Sequence, residues 1–61
     1  MLKLWMCSAT CSDGRNKEYF GCLIYAECAD DAFRYLDEKV RDLGLFCLCK
    51  SVQCDDCIYV K

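Results

Sequence analysis

Cys54 and Cys57 flank Asp55-Asp56 and form the only C-x-x-C in the chain. At that spacing two thiolates can grip a zinc ion, close a local disulfide or take part in thiol exchange. A tetrahedral structural site needs more ligands than this pair, and a second C-x-x-C is missing. Of the other thiols, Cys28 is expected at the same end of the fold, and Cys7 and Cys11 at the opposite end. A zinc-stapled domain held by Cys54, Cys57 and Cys28 is therefore one reading of the chain, although no metal or other cofactor is expected. Thiol redox catalysis fits poorly. The two adjacent Asp residues raise a thiol pKa by repulsion, opposite to what an oxidoreductase needs, and no thioredoxin-like βαβ pattern surrounds the pair. A thiol at a helix start, as expected for Cys28, is drawn toward the thiolate by unpaired N–H groups, but Asp30 and Asp31 oppose that shift.

The chain has no His. This removes Cys-His and Ser-His catalytic pairs and every zinc site that uses imidazole. No Gly-rich phosphate loop and no paired carboxylates in a plausible cleft are visible either, so the chain reads as a non-enzyme.

Eight Cys in 61 residues is the composition of a secreted disulfide scaffold. Such scaffolds are rich in loops, whereas these Cys mostly sit in apolar runs that read as strands, with no Pro and only three Gly. The expectation is a reducing compartment, the cytoplasm, with mostly free, buried thiols. Cys22, Cys47 and Cys49 are expected in the core and slow to alkylate, with Cys54 and Cys57 labelling first. The longest uncharged run, Leu4 to Ser12, is too short for a membrane span or for the apolar region of a signal peptide, so a soluble protein without a targeting segment is expected.

The elements that must position these residues follow from periodicity. A single domain over residues 1–61 is expected, of α+β class: ββαββ, with a four-stranded, mainly antiparallel sheet and one helix packed on one face. Leu2 to Cys7 alternates as a first strand, and Lys17 to Glu27 reads as a second, joined by a long loop holding Asp13-Gly14. Ala29, Ala32, Phe33, Leu36, Val40 and Leu43 recur at helical spacing and predict a helix over 29–43, with Gly44 ending it. Phe33, Leu36 and Val40 are its core face, with Asp37 and Glu38 solvated. Leu45 to Val52 and Cys57 to Lys61 form a second hairpin. The strand order is 2-1-3-4, with 1-2-3-4 as the rival.

Alternation then sorts the faces. Leu2, Leu4 and Met6, the set Phe20, Cys22, Ile24 and Ala26, then Cys47 with Cys49, and Ile58 with Val60 are expected to face the helix. The opposite face would carry Trp5, Tyr19, Leu23, Tyr25, Phe46, Leu48 and Tyr59, fringed by Lys3, Lys17, Lys50 and Lys61. An apolar patch of that kind marks an interaction surface. The leading expectation is an inhibitor- or adaptor-like module that binds a protein partner or a second copy through this face, with Trp5, Tyr19, Tyr25, Phe46, Leu48, Tyr59, Lys3 and Lys50 at the contact. Single-stranded nucleic acid stacking on the same aromatics is an alternative, opposed by the net charge of −2. No membrane partner is expected.

Overall fold

The computed structural model describes all 61 residues. Strands β1 (Lys3–Ser12) and β2 (Lys17–Ala26) precede helix α1 (Ala29–Asp42), and β3 (Phe46–Cys54) and β4 (Cys57–Val60) follow it. The sheet runs β2-β1-β3-β4 with every neighbouring pair antiparallel, which is the expected order. The helix lies over one face, and no helix is long and apolar enough to cross a membrane.

Only Asp13 to Asn16 turns the first hairpin. Asp13 makes that turn: its Oδ1 accepts hydrogen bonds from the backbone N–H of Arg15 and Asn16, both at 2.8 Å. These bonds to Asn16 and Arg15 favour the ionised carboxyl and lower its pKa. Gly14 sits at φ 98°, where a side chain is strained. The second hairpin turns on Asp55 and Asp56, with Asp55 at φ 55°, a conformation Asp tolerates better than most residues.

The helix starts without a side-chain cap, because the Cys28 thiol makes no capping bond. It carries Asp30 and Asp31 in its first turn and Lys39 and Arg41 in its last, each placed favourably against the macrodipole. It ends in a Schellman motif: Gly44 N–H donates to the Arg41 carbonyl at 2.9 Å and Leu45 N–H to that of Val40 at 3.3 Å. Gly44 has φ 75°, with open space where a Cβ would stand. Gly44→Ala therefore costs backbone strain alone, about 1 kcal/mol, measurable as a lower urea midpoint with an unchanged m-value. No loss would mean the helix terminates differently.

Ala32, Phe33, Leu36 and Val40 are the buried helix residues, and they pack on Trp5, Cys7, Ala9 and Cys11 of β1, Ile24 and Ala26 of β2, and Val52 and Cys54 of β3. The helix face and the inward phase of β2 are as expected. Asp37 is not simply solvated: it takes both oxygens to Lys50 Nζ, at 2.7 and 2.8 Å.

Three other phases are corrected. In β1 the odd residues face the helix, whereas Leu4 and Met6 are exposed on the other side. The cause is strand length: β1 runs to Ser12, so Trp5, Cys7, Ala9 and Cys11 form an apolar row, while the even row turns polar after Met6. In β3 the register with β1 shifts by one residue between Thr10 and Cys11, so that Thr10 faces Cys49 but Cys11 faces Cys47. Leu48 is the extra residue of this bulge. An uninterrupted alternation is thereby broken: Cys47 faces the helix, Cys49 is exposed on the open face, and Lys50, Val52 and Cys54 take the helix side. In β4, Ile58 and Val60 lie opposite Gln53 and Ser51, so they join the open face and not the core.

Candidate interaction face and thiol pairs

The face away from the helix is built from rows of cross-strand neighbours. Leu4 faces Tyr25, and Leu23, Met6, Gln53 and Ile58 form the next row. Gly21, Ser8, Ser51 and Val60 follow, and then Tyr19, Thr10 and Cys49. Phe46 lies beyond, opposite Ser12. One end of the face is thus apolar, and its middle is a small polar band in which the Ser8 and Ser51 hydroxyls hydrogen-bond at 2.6 Å. Lys17 is the only charged residue in these rows. Met6, Leu23, Tyr25, Ile58 and Val60 are each more than half exposed, so nothing in the chain covers them.

Of the expected contact residues, Tyr19, Tyr25, Phe46 and Leu48 are exposed on this face or at its bulge. Trp5 is not. It is buried beneath the helix side of the sheet, and its Nε1–H donates to the Ala26 carbonyl at 3.0 Å. Tyr59 lies on that side too, opposite Val52, with its ring 6.1 Å from that of Trp5. Lys50 is turned to Asp37, Lys61 to Asp30 and the Phe33 ring, and Lys3 shares the odd phase of Trp5. The lysine fringe therefore lies mainly on the helix side. Leu4, Met6, Ile58 and Val60 are the face residues that the shortened first strand and the unbulged third strand concealed.

The structure does not bring Cys28 into a metal-binding cluster with Cys54 and Cys57; no group of three or more Cys, Asp or Glu is arranged to hold an ion. Cys28 instead borders a surface hollow with Phe33, Tyr59 and Lys61. Cys57 is exposed, but Cys54 is buried against the core, so the two are not equally open to reagents.

Six of the eight thiols meet in directly opposed pairs: Cys7 with Cys22 across β1 and β2, Cys11 with Cys47 across β1 and β3, and Cys54 with Cys57 across β3 and β4. Burial, and then the neighbouring Cys22, push the Cys7 thiol from an ordinary 9.0 up to about 11. Burial also raises Cys22, against the pull of Lys39, and Cys47, with Cys11 beside it adding to the effect. For Cys7 the folded state keeps its proton up to about 11, while the unfolded chain loses it near 9.0. Its contribution to stability is thus complete below the lower value and lost as pH rises through the upper one. Under reductant, unfolding stability should fall across that window, with a shallower slope in Cys7→Ala. Equal slopes would contradict the burial of this thiol.

No family model, curated protein or solved structure matches the chain.

Proposed function

We propose that this chain is a non-enzymatic interaction module whose open sheet face packs on another protein surface, with a second copy of the chain as the partner the geometry favours. The observation that carries this reading is the uncovered cluster Leu4, Met6, Leu23 and Tyr25, with Ile58 beyond Gln53 in the same row, on a face with one charged residue near its edge. Exposed apolar patches are the usual mark of an interface. A nearly uncharged face needs no complementary field and can meet its own copy without repulsion. Stacking of nucleic acid finds less support, since Lys3, Lys50 and Lys61 point to the helix side. We place the protein in the cytoplasm, where its thiols stay reduced under ordinary conditions.

Sedimentation under reductant tests the reading. The wild-type chain should associate with rising concentration, and Met6→Glu with Leu23→Glu should weaken that association at least about a hundredfold, because each Glu would enter the contact unpaired. Helix content should be unchanged in the variant. A wild-type chain that stays monomeric throughout, or a double variant that associates equally well, would overturn it.

A further inference from the structure

We propose that Cys7–Cys22 and Cys11–Cys47 are cross-strand disulfide sites, closed by exchange with a small-molecule disulfide such as oxidised glutathione, and that they rivet β2 and β3 to the central strand β1. Directly opposed residues in an antiparallel ladder stand about 4.5 or 5.5 Å apart at Cα, according to the type of pair. Both spacings fall within the roughly 4.4–6.8 Å that a disulfide spans. Cys7 faces Cys22 without any register shift. Cys11 faces Cys47 only because of the bulge, since an unbroken register would set it against Leu48. All four lie on the helix side, and each pair is close enough for Cys22 to act on the ionisation of Cys7 and Cys11 on that of Cys47, while the Cys7 and Cys47 thiols donate to the Trp5 and Cys49 carbonyls at 3.7 and 3.6 Å.

Each pair joins a buried thiol, Cys7 or Cys11, to a half-buried one, Cys22 or Cys47. That asymmetry gives a route for exchange. The Cys22 thiolate attacks the external disulfide and expels one small thiolate, leaving a mixed disulfide. Cys7, as thiolate, then attacks the Cys22 Sγ and expels the second. Two protein thiols are oxidised, the external disulfide is reduced to two thiols, and the two protein protons pass to the departing thiolates. Lys39 favours the Cys22 thiolate. At Cys47 Lys50 favours the thiolate and Asp37 opposes it. The second pair spans the helix in sequence and closes the longer loop, so it restrains the unfolded chain more. Cys54–Cys57 closes only its own tight turn and adds little by the same reasoning.

The test is incubation of the folded chain, with Cys28→Ser, Cys49→Ser and Cys57→Ser removing the three exposed thiols, in glutathione buffers of increasing oxidised fraction. Acid quenching, alkylation and non-reducing peptide mapping then read the linkages. The expected result is Cys7–Cys22 and Cys11–Cys47, loss of two hydrogens for each, and a urea midpoint that rises on oxidation and returns on reduction. Cys22→Ala should delete the first linkage and leave the second; if that variant does not fold, Cys47→Ala makes the reciprocal test, and the parent map decides alone. Other pairings, glutathione held on single thiols without internal bonds, or four thiols still reduced in the most oxidising buffer would each overturn the proposal.

Discussion

Trp5→Ala should destabilise the domain by about 3–5 kcal/mol, the range for removing a large aromatic from a core. Trp5 is 5% exposed, its indole N–H is bonded to the Ala26 carbonyl, and its ring is tilted against Tyr59. A domain of this length has roughly 3–9 kcal/mol of total stability, so the substitution removes at least about a third of it and should lower the urea midpoint sharply. Trp5→Phe separates the causes. It keeps most of the ring packing and removes the hydrogen bond, which is worth about 1 kcal/mol net. Urea unfolding followed by circular dichroism reads both. A Trp5→Ala chain as stable as wild type would return Trp5 to the surface and reverse the assignment of both sheet faces.

Leu36→Ala should cost about 2–5 kcal/mol. Leu36 is fully buried at the centre of the helix face, in the same cluster as Trp5, Cys11 and Val52. Few side chains share the core of so small a domain, so neighbours have little freedom to close the cavity. Leu43→Ala is the control, since Leu43 is 57% exposed at the helix end. If the two substitutions cost the same, the helix is rotated from the orientation described here.

The helix was legible because its signals agree: apolar spacing, acids at the start, bases at the end and Gly44 in the one backbone conformation that closes it. The strand order was legible from connectivity, and the inward set of β2 from the charges at the ends of its other phase. The face of β1 was not. Leu2, Leu4 and Met6 are a convincing apolar row over a short strand, and only its extension through Ala9 and Cys11 to Ser12 reveals the competing row. The residues Ser8, Thr10 and Ser12 look like loop because they are polar, yet they lie on the open face of a strand. The bulge at Leu48 has no local mark, since both phases of Phe46 to Cys49 are apolar. It reversed Cys49 and, through the tight turn at Asp55, Ile58 and Val60. Part of the thiol pairing was within reach: with a four-residue turn over 13–16, register alone sets Cys7 opposite Cys22. The open face was anticipated as an apolar surface, but with Trp5 and Tyr59 as its anchors where Met6, Leu4 and Ile58 stand.

Hydroxyl-radical footprinting of the reduced wild-type chain across a concentration series tests the interaction face most directly. Met6, Leu23 and Tyr25 should lose reactivity as concentration rises, while Leu43, exposed at the end of α1 on the helix side of the sheet, should keep it. Protection of Leu43 with continued oxidation of Met6 and Leu23, or an unchanged pattern at every concentration, would contradict the account.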